Sequence, residues 1–191
     1  MLNLSVAGDL TPAEAEAQLR GYTTITDGDR AARFDAARET RRGVPEGILA
    51  AGKTPAEIVA VAEHAVETTG RAVVTRLDDA VADRVQAAVV ETHPAAPVDY
   101  DQRARPLVVH AEEFQPPSVD ATVAVVTGGL ADADAAGEGA VIARGGGPAV
   151  ERYDDVGGAH LDRALGAGPA LWGGDALVSA PRRAGGRARP R

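Results

Sequence analysis

The fold is decided by residues 52–76, which read GKTPAEIVAVAEHAVETTGRAVVTR. Residues Thr54–Glu57 form a capping-box pattern with proline at the first helical position, so a helix is predicted to begin here. Apolar residues then recur at helical spacing as far as Gly70, a typical helix end. Ala72–Thr75 is a short apolar run that predicts a buried strand. The stretch therefore predicts the helix and the following strand of an α/β unit.

Further elements of the same kind are predicted on both sides of this stretch. Ile48–Ala51 and Pro106–His110 read as strands, and Asp79–Val90 reads as a second helix. Nearer the start, a capped helix is predicted over residues 11–21, and Arg30–Arg42 is predicted to permit a helix. Aromatic residues are only 3% of the chain, so the core is built from aliphatic residues, as in a parallel sheet covered by helices.

A second series of elements begins after residue 121. Thr122–Thr127 predicts a strand, Gly128 and Gly129 a turn, Asp132–Arg144 a helix and Ala149–Arg152 another strand. A further helix and a third strand are predicted over Gly158–Leu165 and Asp175–Ser179. This order opens a doubly wound fold, in which ligands bind beyond the carboxyl ends of the strands.

The predicted fold class is therefore α/β with two domains. Residues 1–112 form a small amino-terminal α/β domain, and residues 121–180 form part of a flavodoxin-like, doubly wound parallel sheet. A polar linker, AEEFQPPSVDA at residues 111–121, separates them. The last eleven residues, PRRAGGRARPR, carry five arginines and no acid. They read either as a basic arm for an acidic partner or as a disordered tail translated from a shifted frame.

The composition limits the classes of partner. The chain carries 28 acidic and 20 basic residues, a formal charge of −8 at pH 7, which disfavours contacts with the phosphates of nucleic acids or membranes. No apolar run approaches the roughly 18 residues of a membrane span. Because there is no cysteine, disulfides, thiolate metal sites and a thiol nucleophile are excluded within this sequence. We expect a cytoplasmic protein that binds neither nucleic acid nor membrane.

Residues 47–54, GILAAGKT, match the phosphate-loop pattern of nucleoside triphosphatases. In such a loop the backbone holds the phosphates, Lys53 contacts the outer phosphates and Thr54 binds magnesium. Here no buried strand precedes the pattern, and Pro55 makes Thr54 the cap of the following helix. A chance match to a strand, a turn and a capped helix is the favoured interpretation. A phosphate-loop nucleotidase stays open as the alternative.

An ordered series of motifs resembles the LarB family. The earlier motifs are RFD at 33–35, RRGVPE at 41–46, GKTP at 52–55 and VVTR at 73–76. The later motifs are YD at 100–101, AR at 104–105, TVAVVTGG at 122–129 and VERYDDVG at 150–157. The resemblance spans roughly residues 25–165 without large gaps. GKT alone is a weak signal, whereas the ordered series is specific.

The resemblance implies a PurE-related carboxylase. LarB proteins use carbon dioxide to carboxylate the pyridinium ring of nicotinic acid adenine dinucleotide and cleave its phosphoanhydride. The product is a pyridinium-3,5-biscarboxylic acid mononucleotide, an intermediate of nickel-pincer cofactor synthesis. Their second domain is similar to PurE, the N5-carboxyaminoimidazole ribonucleotide mutase, and their nucleophile is a cysteine thiolate. Since this chain has no cysteine, we expect a truncated, inactive member with no catalytic residue of its own, or a non-catalytic nucleotide-binding or assembly protein.

Candidate nucleotide-binding residues in the second domain are Thr127, Gly128, Gly129 and Asp132. The sequence GGLAD at 128–132 stands where the family has Ala-Gly-Thr-Ser-Asp, so the family's hydroxyls are missing. Gly128 and Gly129 are expected to approach a phosphate through backbone N–H groups. Asp132 is predicted either to cap the helix or to contact a ribose hydroxyl or act as a base.

Candidate residues in the first domain are Arg42, Lys53 and Arg76, which are predicted to converge on phosphates or carboxylates, with surface charges as the alternative. Asp154 and Asp155 are interpreted as a solvated turn rather than as a magnesium pair. The four histidines lack metal-ligand spacing. No cofactor or metal site is predicted, although magnesium is left open beside the dinucleotide. A homo-oligomer is expected if the complete domain is present, because an unfinished sheet exposes an edge.

Overall fold

A computed structural model describes residues 22–27, 30–156 and 173–180, and the chain divides into two compact units. The first unit holds the described residues up to Asp101 together with Pro106–Gln115. The second holds Gln102–Arg105 and the described residues from Pro116 onward. Each contains a sheet with helices, so the predicted α/β class is confirmed. The helices predicted at 11–21 and 158–165 and the tail at 181–191 lie outside the described residues.

The first unit contains six strands and three helices among the described residues. In chain order they are β1 (Tyr22–Asp27), β2 (Arg30–Asp35), α1 (Arg38–Arg42), β3 (Gly47–Leu49), α2 (Pro55–Thr69), β4 (Arg71–Thr75), α3 (Asp79–Thr92), β5 (Val98–Tyr100) and β6 (Leu107–His110). β1 and β2 form an antiparallel pair. The other four strands form a mixed sheet in the order β3-β4-β6-β5, in which only β3 and β4 run parallel.

Helix α2 begins and ends where the sequence pattern predicts. The backbone N–H of Glu57 donates to the Thr54 hydroxyl at 3.2 Å, and the N–H of Thr54 donates to the Glu57 carboxylate at 2.6 Å, which completes the capping box. Gly70 ends the helix in the left-handed conformation, with φ of +77°. One face of α2 is buried against the sheet by five aliphatic residues, namely Ile58, Val61, Ala62, Ala65 and Val66.

The predicted helix over Arg30–Arg42 is wrong in its first half. Arg30–Asp35 is strand β2, which pairs with β1 from Tyr22↔Asp35 to Asp27↔Arg30. Only Arg38–Arg42 is helical. The pairing satisfies the backbone of β2 along its length, and Phe34 is buried in the core of the first unit. A weak helical preference therefore gives way to pairing with the strand that directly precedes it in the sequence.

The second unit is built around one central strand. Its elements are β7 (Thr122–Thr127), a 3₁₀ turn (Leu130–Asp132), α4 (Ala133–Gly145), β8 (Ala149–Tyr153) and β9 (Ala176–Ala180). The strand order is β8-β7-β9, and both neighbours run parallel to β7. The chain therefore places β8 on one side of β7 and β9 on the other, which is the topological switch of a doubly wound sheet.

Helix α4 contains a glycine that close packing requires. A Cβ built at Gly137 would overlap the methyl group of Ala104, which is buried in the same unit. Val125, Ala136 and Ala140 form the buried core between α4 and β7.

Among the described residues, no helix has both the length and the apolar character needed to cross a membrane.

The ring of Phe114 packs beside the start of β4 in the first unit. Phe114 stacks on the imidazole of His110 with 4.9 Å between ring centroids. The guanidinium carbon of Arg71 lies 5.1 Å from the centroid of the Phe114 ring, within the range of a cation–π contact. Ala111 donates its N–H to the Gly70 carbonyl at 2.7 Å. The segment that follows β6 is thereby fixed to the start of β4.

Gly70→Ala is expected to lower the free energy of unfolding more than Gly43→Ala does. Both glycines have left-handed φ, +77° and +73°, so alanine costs about 1 kcal/mol of strain at either position. Only at Gly70 does the added Cβ come within 2.8 Å of the Phe114 ring, whereas at Gly43 it meets nothing within 4 Å. Urea unfolding followed by circular dichroism measures both losses. Equal losses would contradict the close packing of Phe114.

Stability is expected to depend on the protonation of His110. Its pKa is lowered from the ordinary 6.5, first by burial and then by Arg71, while Asp99 opposes the shift. The folded chain therefore binds this proton less well than the unfolded chain, so His110 contributes stability above pH 6.5 that is lost as the pH falls. Between about pH 7.5 and pH 5.5, the native chain should lose more stability than His110→Phe, which keeps an aromatic ring. Parallel losses in urea unfolding would refute the assignment.

Candidate functional site

The carboxyl end of β7 brings together the residues predicted for the second domain. Thr127 is the last residue of the strand and is 1% exposed. Its hydroxyl accepts the backbone N–H of Asp155 at 2.8 Å and donates to Asp154 Oδ1 at 3.4 Å. Val156 donates its N–H to the Thr127 carbonyl at 3.0 Å. These bonds fasten the residues after β8 to the end of the central strand.

Gly128 and Gly129 leave open space beside the end of β7. Gly128 is exposed, and a Cβ built on it would lie 3.2 Å from Asp132 Oδ2. A Cβ on Gly129 would meet nothing within 4 Å. Gly129 has extended backbone, with φ of −166°, which any residue adopts. Packing within the unit therefore explains a small residue at 128 but gives no reason for glycine at 129.

Asp132 caps the turn that follows these glycines. The carboxylate is buried, and Oδ2 accepts the backbone N–H of Gly129 at 3.0 Å. At the N-cap position of α4 its side chain makes no capping bond to that helix, so it caps the preceding 3₁₀ turn rather than the helix that the sequence predicted. The bond holds the 3₁₀ turn in place ahead of α4, whose amino end therefore lies next to the open space at Gly129.

The acidic residues after β8 do not act as a pair. Arg152 donates to both carboxylate oxygens of Asp154, at 3.1 and 3.2 Å, so the charge of Asp154 is locally balanced. Asp155 has a φ of +59°, a left-handed conformation that is uncommon outside glycine, and the Thr127 hydroxyl binds its N–H. Among the described residues, no three acidic or histidine side chains are grouped to hold a metal ion.

In the first unit, Lys53 and Arg76 lie at one edge of the sheet. β3 and β4 run parallel with Leu49 opposite Thr75, so their carboxyl ends meet at the same edge. The ammonium group of Lys53 donates to the Leu49 carbonyl at 2.7 Å. Arg76 follows β4 directly and has a φ of +59°. The structure thus brings these two predicted cations together at the end of β3 and β4.

Arg42 is placed elsewhere in the same unit. It is the last residue of α1 and is exposed. Helix α1 ends before the amino end of β3, which is the edge opposite to that of Lys53 and Arg76. The three cations predicted for the first domain are therefore not gathered at one edge of its sheet.

The residues that match the phosphate-loop pattern form a strand, a turn and a capped helix. Gly47–Leu49 is strand β3, with Ile48 buried in the core. The N–H of Lys53 donates to the Ala50 carbonyl at 3.0 Å within the turn. The Thr54 hydroxyl is occupied by the N–H of Glu57. The predicted capping role of Thr54 is confirmed.

A cluster of charges beside α1 was not predicted from the sequence. Asp35, Glu39, Glu46 and Arg71 line one small pocket of the first unit. Arg71 is only 4% exposed and forms an ion pair of 2.6 Å with Glu39. A charged residue at the start of an otherwise apolar strand is the one signal that the sequence offered. The partners of Arg71 come from distant segments, and no local pattern shows them.

The fold and the β7 site define a doubly wound α/β protein. Residues 25–112 match the family model described as the LarB/PurE-like N-terminal domain. Residues 25–112 therefore resemble the N-terminal domain of a LarB/PurE-related family, as the motif series indicated. A search of the curated proteins finds no match.

Thr127→Val is expected to lower the free energy of unfolding by about 1 kcal/mol, because the part-buried N–H of Asp155 loses its acceptor. Thr127→Ser retains the hydroxyl and serves as the matched control, with a smaller loss from the missing methyl group. Faster exchange of the Asp155 amide with deuterium in the valine variant alone would locate the effect. If both variants exchange this amide at the native rate, the Thr127 hydroxyl does not hold it.

Proposed function

We propose that this chain binds nicotinic acid adenine dinucleotide at the carboxyl end of β7, as the nucleotide-binding part of a LarB-type pyridinium carboxylation. The match of residues 25–112 to the LarB/PurE-like N-terminal domain supports the class of chemistry. The position of the site supports the binding role, because doubly wound sheets bind ligands where the strand order reverses. The proposed reactants are the dinucleotide and carbon dioxide, with no metal or organic cofactor assigned.

The observation that carries the proposal is the open space at Gly129. The glycine follows the central strand, its neighbour Gly128 is exposed, and no atom of the described residues lies within 4 Å of a Cβ built at 129. Helix α4 begins a few residues later. The positive end of a helix and close access to the backbone both favour a phosphate group. A pyrophosphate placed here would lie beside the turn that Asp132 caps.

The chemistry of ring carboxylation limits what this chain does after binding. In the LarB-type reaction a thiolate adds to the electron-poor pyridinium, which makes the ring nucleophilic toward carbon dioxide, and the thiolate then leaves. The 191 residues contain no cysteine, so they supply no such nucleophile. We therefore assign this chain non-covalent binding and orientation of the dinucleotide, and no bond-forming step.

Gly129→Val is expected to weaken dinucleotide binding at least tenfold without changing the melting temperature. The extended backbone at 129 accepts valine without strain, and the side chain would occupy only the space reserved for the ligand. Isothermal titration of the 191-residue chain with nicotinic acid adenine dinucleotide measures the dissociation constant. Gly139→Ala, whose Cβ would make an ordinary contact of 3.8 Å with Val178, is the matched control and should bind like the native chain.

Four results would count against this function. The native chain would fail to bind the dinucleotide, or Gly129→Val would bind it as tightly as the native chain does. Incorporation of labelled bicarbonate into the dinucleotide by the purified chain would contradict the non-covalent role. Magnesium-dependent ATP hydrolysis that is lost in Lys53→Ala would favour a phosphate-loop nucleotidase instead.

A further inference from the structure

The pocket beside α1 is lined by charged residues that have no part in the site at the carboxyl end of β7. Its charged lining residues are Asp35, Glu39, Glu46 and Arg71, and Phe34 and Val73 are among its apolar ones. All of them belong to the first unit. The three carboxylates line the same pocket, and like charges in one pocket wall repel each other unless cations or hydrogen-bond donors compensate them.

Three arginines provide most of that compensation. Arg41 pairs with Asp35, Arg71 with Glu39 at 2.6 Å, and Arg38 with Glu46 at 3.3 Å. Each carboxylate therefore has one guanidinium partner. Arg38 and Arg41 belong to α1, and their side chains are 45% and 42% exposed. Arg71, in contrast, is buried.

One carboxylate oxygen in the pocket wall lacks a donor. Asp35 is 7% exposed, and the Arg41 guanidinium occupies its Oδ2. Its Oδ1 is buried and has no hydrogen-bond partner. A buried charged acceptor without a donor is costly, so this atom marks the place where a donor from a ligand would be bound.

The second carboxylate lies in surroundings that disfavour its charged form. Burial raises the pKa of Glu46, Arg38 opposes the shift, and the negative charge of Asp35 adds to it. Burial therefore disfavours the charged form of Glu46 despite its ion pair with Arg38. A positively charged ligand between Asp35 and Glu46 would relieve both groups.

We propose that this pocket binds a small ammonium group, either the free ammonium ion or the head of a primary amine. Such a group is cationic and carries several N–H donors, one of which satisfies Asp35 Oδ1. A hard divalent ion needs about six oxygen ligands, and the described residues hold no cluster of metal-binding side chains. A quaternary ammonium has the charge but no donor, which makes it the natural control ligand.

Ammonium chloride is expected to raise the melting temperature of the 191-residue chain in a saturable manner, by about 3–6 °C at ten times the dissociation constant. Methylammonium should act similarly, whereas tetramethylammonium at the same ionic strength should have no saturable effect. Asp35→Asn should abolish the response. Asp83→Asn, which alters an exposed carboxylate of α3, should retain it. Equal effects of ammonium and tetramethylammonium would overturn the proposal.

A direct measurement keeps the test decisive if Asp35→Asn does not fold. With ¹⁵N-labelled ammonium, the native chain should show a bound ammonium resonance with proton cross-relaxation to the ring of Phe34, which lines the pocket. Glu46→Gln should weaken binding several-fold while leaving Asp35 in place. If no bound resonance appears in the native chain at saturating ammonium, the pocket holds only water and the assignment is wrong.

Discussion

The buried guanidinium of Arg71 is the interaction on which the first unit depends. A charge at 4% exposure is tolerated only with partners of its own. Glu39 supplies the opposite charge from α1, and the ring of Phe114 supplies a polarisable face from the segment after β6. Two segments distant in sequence, α1 and the segment after β6, are therefore held to the start of β4 by one side chain. Removing either partner would leave a desolvated cation in the wall of the pocket.

In the second unit a neutral hydroxyl group, rather than a charged side chain, holds neighbouring segments together. Its central strand ends in Thr127, whose hydroxyl both accepts and donates a hydrogen bond to the residues that follow β8. Asp132 caps the next turn through Gly129. Hydrogen bonds within the unit therefore hold the residues around Gly128 and Gly129 in place without a ligand. A site fixed before binding loses less entropy when its ligand arrives.

Sequence patterns predicted those elements whose cause is local. The capping box at Thr54 and the apolar run at 122–127 gave α2 and β7 nearly to the residue, because caps and periodicity depend on neighbours in the chain. Arg30–Asp35 was misjudged although β1 directly precedes it, is rich in the β-forming residues Tyr, Thr and Ile, and is followed by Gly28-Asp29, a two-residue hairpin signal. The orphan oxygen of Asp35 and the partners of Arg71 arise from packing of remote segments. Chemistry of this kind becomes visible only in three dimensions.

The close packing of Gly137 against the methyl group of Ala104 has a consequence for dividing the chain into fragments. Residues 102–105 belong to the second unit, although the residues on either side of them belong to the first. A single cut within 111–121 would send Ala104 away with the amino-terminal fragment and uncover the surface of α4 that it covers. The two halves are consequently expected to express poorly as separate fragments and to regain order when they are mixed.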